Sequence, residues 1–485
     1  MNVLAVDLGA SSGRAILGNY NNGEITLEEI HRFDNTPVER GGRLYWDIDA
    51  LFNEIKTGVK KCAGRKIHSL SIDTWGCDFA LLGADGKIAH SPLHYRDKIT
   101  EGVMDEVFKI IDKETLYNRA GIEFMRYNTI FQLYALKKAN PEIFKTADKL
   151  LFMPDLFIYL LTGKKTCEKT IASTSGIINL VTGRPDGEIL QKLGIKETLF
   201  PEVRKAPQDA GFLKKELAAE LGIENVRVIT GAGHDTADAV AAAPLNENSC
   251  YISCGTWSLL GIESPSPFTG KEAFDCNFTN ESGFNDTILF LKNISGLWLL
   301  QESRNQWKRE GETLSYAAIE DAIANNASPE VYLDAELSDF GAPGDLPSLF
   351  NKFFKETGQK QLKDKIDIAH CIMESLALSY DYRIRQLERI TGKNFNAVNI
   401  IGGGSKDTNL MRFTANATGK KVIAGPSEAT AMGNIIIQLI AAGELKSVKE
   451  AREKIEGLVS YLPEDGEIWR GKREKFLAVL TAAKK

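Results

Sequence analysis

The hydrophobic pattern of this chain alternates between short β-branched runs and longer amphipathic stretches, which predicts an α/β protein. It opens with Val3 to Asp7, apolar and then acidic. The turn LGASSG follows, and then a returning run from Arg14 to Tyr20. Asn21, Asn22 and Gly23 make a second turn before Glu24 to Phe33, so the N-terminal segment predicts an antiparallel meander. Ile48 to Cys62 has helical periodicity, and Ile67 to Asp73 is strand-like and ends in DTWGCD. Residues 100–162 read as mostly helical with a break at Pro141, and residues 173–187 as a polar, Gly-rich excursion. Val226 to Ile229 predicts a buried strand. It runs through Gly231, Ala232 and Gly233 into an Ala-rich helix that starts near His234 or Asp235 and stops before Pro244.

Past Pro244 the pattern restarts. Cys250 to Cys254 and Ser258 to Glu263 read as strands around the turn GTW, much as VDLGASSGRAILG reads at the start. This faint repeat predicts two domains of the same topology, 1–244 and 245–485. Helices are expected over Gly296 to Lys308, Pro347 to Thr357, Lys365 to Thr391, Thr430 to Ala442 and Gly466 to Lys484. The strand VNII runs straight into Gly402, Gly403 and Gly404, and Lys421 to Ala424 is a further strand.

At 485 residues the chain exceeds one core, in keeping with two domains. A hydrophobic share of 43% and a charged share of 26% describe a globular protein. A net charge of -6 gives no electrostatic footing for nucleic acid or an anionic membrane. No apolar window reaches the length of a membrane span, and MNVLAVDLGASSG lacks the basic start and cleavage site of a signal peptide, so a cytoplasmic protein is expected. The seven cysteines are irregularly spaced, which favours buried thiols over a zinc site.

Three turns carry candidate chemistry. Asp235, at a strand-to-helix turn, is either a helix cap or a general base beneath a hydroxyl, and the glycines before it would leave room for a substrate. The turn Ala10, Ser11, Ser12, Gly13, Arg14 offers backbone N–H groups and hydroxyls to an anion, or is an ordinary hairpin turn. Gly402 to Gly404 suits a flat group or a phosphate, or is a tight structural turn. Two halves with a nucleotide between them would bring these turns to one cleft. There Asp7 would serve a metal, the Ala10–Arg14 and Gly255–Thr256 turns would grip phosphates, and Asp235 would take a proton. Arg96 and Asp97 form a surface ion pair or bind a polyol.

The blocks VDLGASSGR, DTWG, HDTA, SCGTWSL, LKNISGLWLLQ, IGGG and AGPSEATAMGN, in this order, resemble the FGGY family of carbohydrate kinases over nearly the whole chain. The turns DLGASSGR, DTWG and GTWSL are similar to those of members that act on L-rhamnulose. The resemblance implies two ribonuclease H-like domains of the actin/Hsp70 type, with the sugar site in the N-terminal domain. It implies ATP and Mg2+ as cofactors and transfer of phosphate to the 1-hydroxyl of L-rhamnulose by a monomer or homodimer. Carried over by position, Ala10 to Arg14, Thr256, Gln301 and Gly403 would contact nucleotide, and Asp7 the metal. Gly76, His234, Asp235, Thr236 and Asn293 would contact sugar, with Asp235 the base. The alternatives are a kinase for L-fuculose, xylulose or a related polyol, and an actin- or Hsp70-like ATPase that needs no sugar.

Overall fold

The computed structural model describes residues 1–483. They form two compact units that are discontinuous in sequence. The first comprises Met1–Ala242, Glu263–Leu291 and Ala429–Lys454; the second comprises Ala243–Ile262, Lys292–Glu428 and the residues from Ile455 on.

The first unit is built on a six-stranded sheet in the order Gln208–Phe212, Arg227–Thr230, Ser69–Thr74, Asn2–Leu8, Ser12–Asn21, Glu24–Asp34. Asn2–Leu8 lies at its centre, antiparallel to the following strand and parallel to Ser69–Thr74. Its residues from Val3 on are buried, as a strand covered on both faces requires. Register places Asp7 opposite Arg14 on one side and opposite Asp73 on the other. Parallel pairing thus brings two acids to the same end of the sheet, the end at which α/β proteins build ligand sites. The helix Ile48–Lys60 buries Ile48, Leu51, Ile55 and Val59, and Asp47 caps it by accepting from Ala50 N at 3.2 Å.

The segment Ala429–Lys454 returns to this unit because its helix, Ala429–Ala441, packs on the two central parallel strands and on the helix Asp235–Ala241. Gly433 makes that approach possible: a Cβ there would sit 1.7 Å from the carbonyl oxygen of Asp238. Gln438 of the same helix ties the layers, donating to Leu4 O at 3.0 Å and accepting from Ser69 Oγ at 2.6 Å.

A second, seven-stranded sheet repeats the strand order with one strand added at its edge. Thr279–Ser282, Ile288–Ser295, Trp257–Ser264, Ser249–Cys254, Ala397–Ile401, Lys421–Ala424 and Val459–Tyr461 are neighbours in turn. The pairs from Ser249–Cys254 through Lys421–Ala424 are parallel, and an antiparallel strand flanks them on each side. The faint sequence repeat therefore marks two copies of one topology.

Most expected elements are present with ends shifted by a few residues, and Lys365–Thr391 is helical throughout. Within 100–162 the structure differs: Ala147–Phe152 is a strand, paired antiparallel with Phe79–Gly83. A short apolar run carries no period of its own that distinguishes strand from helix, and the partner decided it. The C-terminal helix spans Gly466–Ala482, and the expected end at Lys484 lies outside the described residues. All seven cysteines are free, six of them buried. Among the described residues no helix is long and apolar enough to cross a membrane.

Candidate active site

The carboxylate of Asp7 is 3% exposed, and its Oδ2 accepts from Arg14 Nε at 2.9 Å and from a terminal Arg14 nitrogen at 2.7 Å. Beside it Asp73 is fully buried, with Oδ2 accepting from Asn434 Nδ2 at 2.7 Å. Asp238 is equally buried, and apart from the bond the two carboxyl groups share, neither its oxygens nor Oδ1 of Asp73 has a hydrogen-bond partner. Burial, and then the charge of Asp7, pushes the Asp73 carboxyl well above the usual range. Burial and the charge of Asp73 do the same to Asp238. The buried pair is thereby kept from carrying two charges at once, which spares the sheet a run of adjacent buried anions.

Asp235 stands at the head of a short helix, Asp235–Ala241, but His234 occupies the cap position, with φ -89 and ψ 119. Asp235 is the first helical residue. Its carboxylate bonds to Thr236, with Oδ1 accepting from Thr236 Oγ1 at 3.1 Å. The side chain keeps 28% exposure, so water reaches one edge, while protein crowds it on the other sides. Burial raises its pKa to about 6, the charge of Asp7 adds to the rise, and His234 opposes it.

The glycines before Asp235 do not leave room for a substrate. Gly231, Ala232 and Gly233 are buried, and Cβ atoms on the two glycines would lie 2.6 Å from Ser71 Oγ and 3.0 Å from Pro154 Cγ. The small residues let the turn pack against its own unit. Glu168 then pins it: Oε2 accepts from Gly233 N at 3.0 Å, Thr170 N at 2.8 Å and Ile171 N at 3.1 Å. Thr170 Oγ1 in turn accepts from His234 N at 3.2 Å. The imidazole of His234, 7% exposed, lies between two acids, with Nε2 3.4 Å from Asp235 Oδ1 and Nδ1 3.2 Å from Glu281 Oε2.

Gly76 begins a turn packed on Thr174, whose Oγ1 accepts from Cys77 N at 3.1 Å; Cys77 takes a φ of 74. Next to it Asp78 is wholly buried and accepts from Trp46 Nε1 at 2.6 Å, Trp75 Nε1 at 2.9 Å and Gln132 Nε2 at 2.7 Å. Its carboxyl thereby sets the stack of Trp46 on Trp75, with ring centroids 4.0 Å apart, and Trp46 also lies 4.2 Å from His94. Asp97 does not pair with Arg96; it is buried and accepts from Leu44 N at 2.7 Å and Arg43 at 3.2 Å. The Ala10–Gly13 turn is braced by Asn35, which donates to Gly9 O at 2.8 Å and to Ser11 O at 3.1 Å. Ser11 is left exposed.

In the second unit, Thr256 and Gln301 face each other, with Oγ1 3.4 Å from Oε1. Gly402 and Gly404 press on Cys254, where added Cβ atoms would meet its carbonyl oxygen at 2.9 Å and its Sγ at 2.3 Å. Gly403 between them is exposed, with nothing within 4 Å. Asn293, partly buried, lies on Ile288–Ser295. The first unit thus gathers Asp7, Arg14, His234, Asp235 and Thr236 around the ends of its central strands. The second presents Thr256 and Gly403 just past the ends of two paired strands, and Gln301 on the helix Trp298–Arg309. Glu168, Glu281 and Asp238 were not singled out from sequence; Asp78 was read with Asp73, Trp75 and Gly76 as a ligand site or a turn with an aromatic plug, and it is buried under Trp46 and Trp75. Asp73 and Asn434 lay within quoted motifs, but their pairing was not legible there.

Residues 2–242 match the N-terminal domain, and residues 250–442 the C-terminal domain, of the FGGY family of carbohydrate kinases, and the chain belongs to that family. Its fold is that of solved sugar kinases: the xylulose kinase of Lactobacillus acidophilus superposes with a TM-score of 0.84 at 16% identity, covering 100% of this chain and 98% of that one. The expected pair of ribonuclease H-like domains is thereby established. Among its relatives, the rhamnulokinase of Halalkalibacterium halodurans is 43% identical over 454 residues, 93% of this chain and 96% of that protein. The rhamnulokinase of Bacteroides thetaiotaomicron is 42% identical over 477 residues, 96% and 97% of the two chains.

Proposed function

We propose that this protein transfers the γ-phosphoryl group of ATP to the 1-hydroxyl of L-rhamnulose, giving ADP and L-rhamnulose 1-phosphate. The names of the relatives support the substrate, and the surroundings of Asp235 support the chemistry. Asp235 lies inside the helix and not at its cap position, reaches water along one edge, and is raised by burial only to about 6, so it is largely ionised at neutral pH and matched to accept a hydroxyl proton. As the sugar oxygen bonds to the γ-phosphorus, Asp235 takes its proton, and the bond from that phosphorus to the bridging oxygen breaks.

In this reading the exposed turn at Ser11, together with Thr256, Gln301 and Gly403, contacts nucleotide, while Gly76, His234, Thr236 and Asn293 line the sugar. Asp7 fits a hydrated Mg2+: it is a buried carboxylate at the end of the central strand, held through Oδ2 by Arg14. Mg2+ is held in this manner by one or two carboxylates, waters and substrate phosphates, and would neutralise the charge on the transferring group.

A coupled ADP-release assay across L-rhamnulose, L-fuculose and xylulose tests the reading, with Asp235→Asn as the control for the base. L-Rhamnulose is expected to turn over fastest. The folded Asn variant should lose about 10²- to 10⁴-fold in turnover while still binding ATP. ADP release that is indifferent to L-rhamnulose, or an Asn variant as active as the wild type, overturns it.

A further inference from the structure

Glu281 lies on Thr279–Ser282, a strand whose residues are all buried, and its own side chain is 5% exposed. A carboxylate taken out of water needs a counter-charge or a full set of donors. Neither Glu281 Oε2 nor His234 Nδ1 has any hydrogen-bond partner besides the other. Among the described residues its one ion-pair partner is His234, whose Nδ1 is 3.2 Å away. The opposite nitrogen of that ring faces Asp235 at 3.4 Å. The imidazole therefore bridges two carboxylates, one buried and one open to water on one edge.

Three acids face this ring: Asp235 from its own helix, Glu281 from the buried strand, and Glu168 from the segment that pins the turn. Burial alone would strip the imidazole of its proton. The hydrogen bond and charge of Glu281, then the charges of Asp235 and Glu168, more than reverse this and raise its pKa. Asp235 carries the opposite problem: burial and Asp7 both favour its protonated form, and the charge on His234 opposes them.

We propose that Glu281 is a positioning residue for the base, acting through His234, which it holds as a doubly protonated cation that aims Nε2–H at Asp235 and keeps Asp235 ionised. This rests on Asp235 being the base. Without the charge on Glu281, His234 loses its proton, and Asp235 loses the cation 3.4 Å from its Oδ1. The base is then protonated over more of the working pH range.

The test is kcat/KM for L-rhamnulose from pH 5 to 9 in wild type and Glu281→Gln. Loss of an adjacent cation raises a carboxylate by about one unit or more. The acid limb of the variant should move up by about one unit, so that activity falls about fivefold at pH 6 and recovers to within about twofold at pH 8.5. Glu281→Asp should restore part of the shift. A limb at the wild-type position, or a loss of equal size at every pH, overturns the proposal. Should the Gln variant fail to fold, ring-nitrogen NMR of the wild-type enzyme decides, with His234 assigned by its absence in His234→Asn: two N–H protons on His234 at pH 7 support it, and a neutral ring at pH 6 overturns it. An active Asp235→Asn removes the base reading itself. An inactive Asp235→Asn with an unshifted Glu281→Gln limb removes this inference alone.

Discussion

Replacing Gly433 by Ala should damage both stability and turnover, although Ala is the better helix former. The residue sits inside Ala429–Ala441, where the change alone would gain about 1 kcal/mol of helix propensity. The new Cβ, however, would lie 1.7 Å from Asp238 O, 2.5 Å from Asp238 C and 3.1 Å from Asp238 Cα. A carbon in van der Waals contact needs about twice the shortest of these distances. The obstructing atoms are backbone, so no rotamer relieves the clash, and one helix must move off the other. Overpacking of this kind costs about 1–3 kcal/mol, and more where the backbone must shift, so the clash outweighs the propensity gain. The helix displaced begins at Asp235, three residues before Asp238, and a base moved by about 1 Å loses on the order of a hundredfold in rate. Gly471→Ala is the matched control: it lies within the helix Gly466–Ala482 with nothing within 4 Å of the added carbon, and should stabilise by about 0.5–1 kcal/mol. Thermal melts and steady-state rates of both variants check this. A Gly433→Ala protein with wild-type melting temperature and kcat would refute the reasoning.

The pH dependence of stability follows from buried acids. Asp78 and Asp155 are each raised by burial to about 7, so the stability they contribute is full below their unfolded value and is lost as pH rises through 7. His94, lowered by burial to about 3, works the other way only up to its unfolded value near 6.5. Between pH 6.5 and 8.5 the acids therefore prevail, at roughly 1 kcal/mol each, and the urea midpoint should fall; a midpoint that holds or rises over that range contradicts the assignment. Asp7→Asn should cut turnover by roughly a hundredfold or more while calorimetric affinity for L-rhamnulose stays within about threefold of wild type, and a large loss of sugar affinity would reassign Asp7 to the sugar.

The chain's own periodicity determined a good deal. The apolar run at Val3–Val6, the long helix Lys365–Thr391 and the strand-to-helix turn at Asp235 are local, because each depends on which face of one segment is buried. The motif blocks marked the family, and Asp7, Arg14 and Asp235 within them. The meeting of Asp7 with Asp73 came only from tertiary structure, since it arises from parallel pairing between strands that are distant in sequence. The return of Ala429–Lys454 to the first unit came the same way, through a helix face matched to Asp238 at a single glycine. The purpose of Gly231 and Gly233 was misjudged from sequence, because a glycine signals close approach without saying what approaches, and here it is Ser71 and Pro154. Glu281 was silent for a related reason. A lone acid in a short strand has no period and no spacing, and it gains meaning only when folding removes it from water beside His234, where the loss of hydration must be met by a neighbouring charge.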